Sequence, residues 1–416
     1  MRIRTAGVQR RDFLRALLAG AAAASVPAWA IDPARYDHPW IPDDVFLGDL
    51  PEWLDRLGVP GVGIAVVEAG EVAWTHSAGI ADTSSGRAVT ESSVFECASL
   101  SKPVFACLVL QLIDEGRLRL EDRLVDHLRP DYHDTADARL NRITVHDVLR
   151  HTSGLPNWRT HPDREPLRTE AEPARALRYS GEAFFWLQLI VERICDAGLD
   201  RIAQQRLFAP AGMHRSTFTW NANAARESVA GVPAPGESRP AQTFREQWPV
   251  LQAIADRSGK PLADWRWADG VAHLPEAAAA SPPGRFVWAG DLLANSAASL
   301  RGPVSDYARF LIWAMRGEAA PHGLKDRTRA LMFTPQFAVT PGGIDKGLGW
   351  NLERIGNDQR WCFHGGSNAG LYKAFVVGDP LRQRGIVVMA NGGGATGLYQ
   401  RVIRAGVKRD LLAFDL

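Results

Sequence analysis

Hydrophobic and polar positions predict strands near the two ends of the chain and helices between them. Residues 61–67 alternate small and apolar side chains, and residues 72–78 continue after a short turn, which predicts a β-hairpin. Residues 371–377 and 385–391 are rich in β-branched and aromatic side chains. Because Asp379-Pro380 separates these two runs, they predict a second hairpin.

The middle of the chain has a largely helical pattern. Thr144, three residues before an aspartate, can cap a helix that Ser153-Gly154 would end. Residues 398–412 predict a helix that closes the chain. We therefore expect an α+β (mixed α/β) fold, in which N- and C-terminal strands form an antiparallel sheet flanked by helices. A mostly helical subdomain would be inserted over roughly residues 105–345, and residues 219–288 have no clear predicted arrangement.

The first thirty residues contain the three zones of a secretory signal peptide. Four arginines form its basic start: Arg2, Arg4, Arg10 and Arg11. Residues 14–26 are apolar but short for a bilayer span, and Ala28-Trp29-Ala30 offers a cleavage site. Arg10-Arg11-Asp12-Phe13-Leu14 is similar to a twin-arginine export signal, although Gln9 stands where Ser or Thr is usual. An amphipathic N-terminal helix is the alternative. We expect an exported, periplasmic protein with a single mature domain, residues 31–416.

Composition narrows the range of partners and cofactors. The chain has 416 residues and a formal net charge of +1, so its charge does not favour nucleic acid as a partner. No apolar run after the signal peptide is long enough to span a membrane. The cysteines lack the paired spacing of a zinc site and are expected to be buried thiols: Cys97, Cys107, Cys195 and Cys362. We expect a small-molecule or peptide substrate, no metal and no cofactor, while the disulfide and oligomeric states stay open.

The segment Ser99-Leu100-Ser101-Lys102 has the composition of a nucleophile and its base. Residues three apart share one face of a helix, so the hydroxyl of Ser99 and the amine of Lys102 can meet. A serine becomes a good nucleophile when a neighbouring base takes its proton. A lysine can be that base when burial or a nearby cation lowers its pKa. A surface lysine after a helix-capping serine is the alternative.

The scarcity of lysine sharpens this hypothesis. Lys and Arg together number 48, and the lysines among them are Lys102, Lys260, Lys325, Lys346, Lys373 and Lys408. Of these, Lys102 alone has a serine three residues before it. A guanidinium stays protonated and cannot act as a base. A lysine kept where arginine is habitual therefore indicates a role for an amine that can lose its proton.

Further short motifs follow this segment. They are His151-Thr152-Ser153-Gly154-Leu155-Pro156, Glu172-Pro173, Tyr179-Ser180-Gly181-Glu182, Gly347-Leu348-Gly349-Trp350 and His364-Gly365-Gly366. Each motif is weak alone, but the ordered set resembles the serine β-lactamase and penicillin-binding-protein superfamily. The resemblance is to the branch with class C β-lactamases, D-Ala-D-Ala carboxypeptidases and related esterases, and it extends over about residues 59–411. It implies a β-lactamase/transpeptidase-like fold and a serine hydrolase.

The resemblance also implies roles for single residues. Ser99 would be the acylated nucleophile, and Lys102 its partner. Tyr179 matches the tyrosine of a Tyr-x-Asn motif, which shares the proton with the lysine and protonates the leaving group. Because a phenol ionises at about pH 10, this role needs a nearby lysine cation. Without the other motifs, Tyr179 would be interpreted as a packed aromatic residue. His151 would hold a loop, and the turn that ends at Trp350 would support the cleft.

His364-Gly365-Gly366 matches the Lys-Thr-Gly motif on the strand beside the cleft. We expect Gly365 and Gly366 to let substrate approach the backbone closely. The backbone N–H groups of Ser99 and Ser367 would form the oxyanion hole. Taken alone, His364 would be interpreted as a turn residue. Here it replaces a lysine, so the permanent cation for a substrate carboxylate is missing, although an imidazole could carry charge at mildly acid pH.

Two departures from the family pattern bear on the substrate. Gly181 stands where Tyr-x-Asn has asparagine, so the amide that would grip a substrate acylamide is absent. His364 stands where the third motif has lysine. The sequence thus predicts a serine hydrolase with an acyl-enzyme on Ser99 that cleaves an ester or amide: a β-lactam, a D-amino-acid peptide or a small ester. The departures favour an esterase or peptidase over an efficient β-lactamase.

Three other functions fit the sequence less well. A non-catalytic or weakly catalytic penicillin-binding-like recognition protein would not need Ser99, Lys102 and Tyr179 together. An α/β-hydrolase is disfavoured because the residues around Ser367 lack the final glycine of a nucleophile elbow. A metal hydrolase is disfavoured because His146 and the histidine five residues later do not form a His-Glu-x-x-His pattern.

Overall fold

Both ends of the chain contribute strands to one antiparallel sheet, as the sequence predicts. The computed structural model describes residues 38–238, 244–356 and 359–415. The predicted signal peptide and its twin-arginine-like motif lie outside these residues. The strands are β1 (Gly61–Glu68), β2 (Glu71–Asp82), β3 (Arg87–Ala88), β4 (Phe95–Glu96), β5 (Arg301–Gly302), β6 (Phe337–Thr340), β7 (Ile344–Lys346), β8 (Asn351–Arg354), β9 (Arg360–Asn368), β10 (Tyr372–Asp379) and β11 (Arg384–Ala390). Within the described residues the main sheet has nine strands, in the order β3-β2-β1-β11-β10-β9-β8-β7-β6.

Helices precede, separate and follow these strands along the chain. They are α1 (Asp44–Arg56), α2 (Ser101–Asp114), α3 (Leu124–His127), α4 (Val145–Leu149), α5 (Gly181–Cys195), α6 (Leu199–Ala203), α7 (Ala209–Ala211), α8 (Ala222–Glu227), α9 (Trp248–Ser258), α10 (Trp267–Ala279), α11 (Val304–Arg316), α12 (Asp326–Met332) and α13 (Ala395–Val407). Pro39–Leu416 form one compact unit, and the subdomain limits near residues 105 and 345 stay a prediction. None of the helices in the described ranges combines the length and the apolar character that crossing a membrane requires.

The two predicted hairpins are confirmed, and they meet at the centre of the sheet. β1 pairs with β2 on one side and with β11 on the other. Leu311 of α11 packs on Gly385, whereas the next residue, Ile386, meets Gly406 of α13. Neighbouring residues of a strand point to opposite faces, so α11 and α13 cover the two faces of the sheet. Because the sheet is covered on both faces, β1 is buried along almost its whole length. A strand in this position needs apolar residues throughout.

Two helices end earlier than the sequence predicts. α4 begins with the expected capping box of Thr144 and Asp147, but it ends at Leu149 instead of at Ser153-Gly154. Two residues further on, His151 adopts a φ of 60°. α13 ends at Val407 instead of at residue 412, and Lys408 caps it with a φ of 55°. A left-handed residue reverses the chain and stops a helix, and its position is hard to predict when it is not a glycine.

Residues 219–288, which had no predicted arrangement, contain α8, α9 and α10 around a second apolar core. Its large buried side chains are Phe185, Trp220, Leu251, Ile254, Trp265 and Phe286. Phe185 belongs to α5, so this core joins the segment to the rest of the helical region.

A short ribbon of two strands leads the chain into α2. Glu96 of β4 pairs with Arg301 of β5, and their buried side chains form an ion pair of 3.1 Å. β9 passes close to the end of this ribbon, where a Cβ atom at Gly366 would lie 2.7 Å from the carbonyl oxygen of Cys97. Only glycine permits this approach. The contact brings β9 against the backbone that precedes Ser99.

Candidate active site

Ser99 lies in a single 3₁₀ turn, Ala98–Leu100, directly before α2. Ala98 adopts a φ of 50°, a left-handed conformation that residues with a side chain rarely take and that is frequent near functional sites. The buried hydroxyl of Ser101 holds this turn, because it donates to the carbonyl oxygen of Ala98 (2.6 Å) and accepts from the N–H of Leu300 (3.0 Å). Ser99 is thereby held at the start of α2, as the sequence predicts.

The structure brings Lys102 to Ser99. The amine Nζ lies 3.3 Å from Ser99 Oγ and donates to the carbonyl oxygen of Ala297 at 2.9 Å. The side chain is 1% exposed. Burial, and next the charge of Lys346, hold the pKa of Lys102 well below its usual range. A neutral amine keeps one lone pair for the hydroxyl proton while it donates to Ala297, a backbone partner that the sequence did not indicate.

Tyr179 lies beside the same amine. Lys102 Nζ is 4.5 Å from the centroid of the phenol ring. Burial raises the pKa of Tyr179, and a hydrogen bond with Ser99 opposes this only in part. A lysine therefore lies beside Tyr179, but burial dominates and the phenol stays neutral. A neutral phenol can donate a hydrogen bond or a proton.

His151 fixes the position of Tyr179. The two rings stack with centroids 4.3 Å apart. Nδ1 of His151 accepts a hydrogen bond of 3.3 Å from the N–H of Ser180. Burial is the main cause that lowers the pKa of His151 well below its usual range, so the ring is neutral. These contacts agree with the predicted role of holding a loop.

His364 lies at the site but does not supply a cation. Its ring centroid is 6.4 Å from that of Tyr179, and Nδ1 donates to the carbonyl oxygen of Gly365 at 2.8 Å. Burial, followed by the charges of Lys102 and Lys346, lowers the pKa of His364 to about 3. The charge that an imidazole could carry at mildly acid pH is therefore not expected here, because burial disfavours the charged ring.

The two glycines of the third motif have different surroundings. The missing side chain of Gly366 faces Cys97 and Ala98, so close packing inside the protein already requires a glycine there. A Cβ atom at Gly365 would meet the ring of Phe375 at 3.6 Å, an ordinary contact. Ser367 follows on β9 and is exposed. The oxyanion hole at Ser99 and Ser367 stays a prediction, and so does the approach of substrate to these glycines.

A family model supports the resemblance: the model described as β-lactamase matches residues 48–407. The chain belongs to the β-lactamase family. It is 33% identical over 189 residues to penicillin-binding protein 4 of Amycolatopsis lactamdurans, a match that covers 40% of this chain and 49% of that protein. It is 36% identical over 107 residues to the esterase EstB of Burkholderia gladioli, which covers 25% of this chain and 26% of the esterase. The matches thus span about half of the first relative and a quarter of the second.

A solved structure shows the same fold. The octameric penicillin-binding protein homologue from Pyrococcus abyssi is similar with a TM-score of 0.65 at 18% identity, over 89% of this chain and 79% of that one. The β-lactamase-family fold predicted from the sequence is confirmed. At this identity the likeness bears on the fold alone.

In this β-lactamase-family chain the position of the absent asparagine is occupied from another segment. A Cβ atom at Gly181 would lie 2.3 Å from Cζ2 of Trp158. The N–H of Gly181 donates to Asn157, and Glu182 forms an ion pair of 2.9 Å with Arg159, both side chains almost fully buried. These bonds fix the backbone on both sides of Trp158, while Trp158 itself stays 40% exposed. No sequence motif marks Trp158, so the sequence did not predict its role.

A cavity of about 280 Å³ is lined on one side by the segment that follows Ala297, the residue whose carbonyl oxygen accepts from Lys102. It is lined in part by Trp220, Ser299, Arg301 and Asn368. Ala298 also lines it, and the preceding residue supplies the carbonyl that accepts from Lys102. Residues of the 219–288 region thus line this cavity, whereas Ser99, Lys102 and Tyr179 do not. Across the described ranges, no group of three or more His, Cys, Asp or Glu side chains is arranged to hold a metal ion.

Proposed function

We propose that this protein is a serine hydrolase that forms an acyl-enzyme on Ser99 and prefers small neutral esters to β-lactams. The observation that carries the proposal is the approach of the buried Lys102 amine to within 3.3 Å of the Ser99 hydroxyl. Membership of the β-lactamase family supports hydrolysis in general, and the names of the relatives, a penicillin-binding protein and an esterase, agree with it.

The proposed reaction begins with proton transfer. Oγ of Ser99 attacks the carbonyl carbon of the ester while its proton moves to Nζ of Lys102. The negative charge that develops on the carbonyl oxygen is stabilised by the N–H groups of Ser99 and Ser367. Tyr179 gives its proton to the departing alkoxide and is reprotonated by Lys102. Water then attacks the acyl carbon, the acid leaves, and the hydroxyl of Ser99 is restored.

The surroundings of Gly181 and His364 support the preference for neutral esters. The indole of Trp158 occupies the space of the side chain whose amide would grip an acylamide. His364 stays neutral, so it offers no charge to a carboxylate. A buried polar group without a partner costs about 1–3 kcal/mol, and an ester with apolar substituents avoids this cost. The neighbouring cavity of about 280 Å³ is of a size for a small acyl or alcohol group.

A fluorophosphonate probe tests the acyl-enzyme part of the proposal. We expect it to label the wild-type protein and Ser92→Ala, but not Ser99→Ala, with all three proteins folded. An unlabelled wild-type protein would instead favour a recognition protein without catalysis. A comparison of kcat/KM for p-nitrophenyl butyrate and for a chromogenic cephalosporin tests the preference. Faster hydrolysis of the cephalosporin would refute the preference and leave the acyl-enzyme intact.

A further inference from the structure

A second lysine approaches the active site from β7. Lys346 is buried, and its Nζ lies 5.7 Å from the ring centroid of Tyr179. It donates a hydrogen bond to Oδ1 of Asn351 on β8. Lys102 approaches the same ring at 4.5 Å, so two amines from distant parts of the chain share one phenol.

The turn after β7 explains this placement. Gly347-Leu348-Gly349-Trp350 packs on α2, where a Cβ atom at Gly349 would lie 2.4 Å from Cβ of Ala106. The N–H of Gly349 also donates to the carbonyl oxygen of Leu149 at 2.8 Å. Because the turn is held against the helix that carries Lys102, the residue before the turn is held near the active site.

No opposite charge compensates these amines. The ionisable groups that face them are Tyr179 before α5, His151 after α4 and His364 on β9. Asp345 precedes Lys346 but pairs with Arg360. In the part of the chain that the structure describes, neither amine forms an ion pair with a carboxylate. Two buried, unpaired ammonium groups destabilise each other, so the site favours a single proton on the pair.

The surroundings of the two lysines differ. Burial lowers the pKa of Lys346 to about 8. The pKa of Lys102 is lowered well below its usual range by burial and, in addition, by the charge of Lys346. An ammonium at Lys346 has the amide oxygen of Asn351 as acceptor, and its charge disfavours a second ammonium at Lys102.

We propose that Lys346 is a positioning residue for the proton: its ammonium keeps Lys102 in the neutral form that can accept the proton of Ser99. This inference rests on the proposed function and deepens it. It also means that the cation of this site comes from β7, since His364 on β9 is neutral.

The test is the pH dependence of Ser99 reactivity, measured as the rate of fluorophosphonate labelling and as kcat/KM for p-nitrophenyl butyrate. Lys346→Gln keeps a donor for Asn351 but removes the charge. We expect its acid limb to move to higher pH, with about a tenfold loss at about pH 6.5 that largely recovers at about pH 9. Lys346→Met should behave alike if glutamine perturbs folding. Lys346→Arg, which retains a cation, should keep the limb near its wild-type position.

Lys408→Gln is the matched control, because it makes the same substitution at a different lysine. Lys408 lies at the end of α13 and pairs with Asp43. This variant should leave the profile unchanged. A loss in Lys346→Gln of equal size at every pH, or an acid limb that does not move, would overturn the inference and leave the acyl-enzyme proposal standing. A wild-type protein without labelling at Ser99 would overturn both.

Discussion

The indole of Trp158 fills the space into which a side chain at Gly181 would project, 2.3 Å from the Cβ position. Gly181 is the first residue of α5, where most side chains are tolerated, so the helix itself does not require glycine. The indole requires it. One substitution at position 181 therefore cannot restore the family's asparagine without displacing Trp158.

The effect of Gly181→Asn on activity should consequently depend on which residue occupies position 158. We expect the single variant to lose about tenfold or more in kcat/KM for p-nitrophenyl butyrate, because the indole must move. In Trp158→Ala/Gly181→Asn much of this loss should be recovered, and the ratio of cephalosporin to ester hydrolysis should rise above that of Trp158→Ala. Strictly additive effects in this double-mutant cycle would mean that the two positions do not compete for space.

Position 102 should require an amine that can lose its proton, and a permanently charged side chain should not replace it. We expect Lys102→Arg to be nearly as inactive as Lys102→Ala, with losses in kcat of about a hundred- to ten-thousand-fold typical of a missing general base. Steady-state kinetics on folded variants measures this. Near-normal activity in Lys102→Arg would show that a cation is sufficient and that the base lies elsewhere.

The two glycines of β9 should respond differently to a methyl group. Gly366→Ala places a Cβ atom 2.7 Å from the carbonyl oxygen of Cys97, so β9 or the Ser99 turn must shift. A displacement of that kind can cost about a hundredfold in rate. Gly365→Ala, which meets Phe375 at 3.6 Å, should cost far less. Melting temperatures and kcat/KM of both variants test this, and equal losses would contradict the packing argument.

His364 should make the protein sensitive to acid. Its folded pKa of about 3 lies below the value of about 6.5 of a free imidazole. The unfolded state therefore binds more protons between these two values, and stability falls as pH falls through that window, by about 3 kcal/mol at about pH 4. His364→Asn keeps a donor for Gly365 without titrating, so its acid unfolding midpoint should move to lower pH. His161→Asn is the control, because His161 is exposed. Identical acid unfolding midpoints for both variants and the wild type would exclude His364 as the origin of the acid sensitivity.

The sequence alone determined the parts of this protein that depend on local pattern. Alternating small and apolar residues mark the first central hairpin, and β-branched and aromatic residues mark the second. The spacing of Ser99 and Lys102 indicated that the two side chains can meet, because periodicity is a property of neighbouring residues. The order of the short motifs was enough for the family and hence for the sheet built from both chain ends. The ends of α4 and α13 were not predictable, since His151 and Lys408 are left-handed without being glycine.

Only the tertiary structure decided the charges and the shape of the site. Lys346, Trp158 and Ala297 reach the site from segments far apart in the chain, and no spacing rule connects them with Ser99. The same holds for protonation. Each lysine and each histidine has the ordinary pKa of its residue type wherever it stands in a sequence. The burial and neighbouring charges that lower the pKa values of Lys102 and His364 exist only once the chain has folded around them.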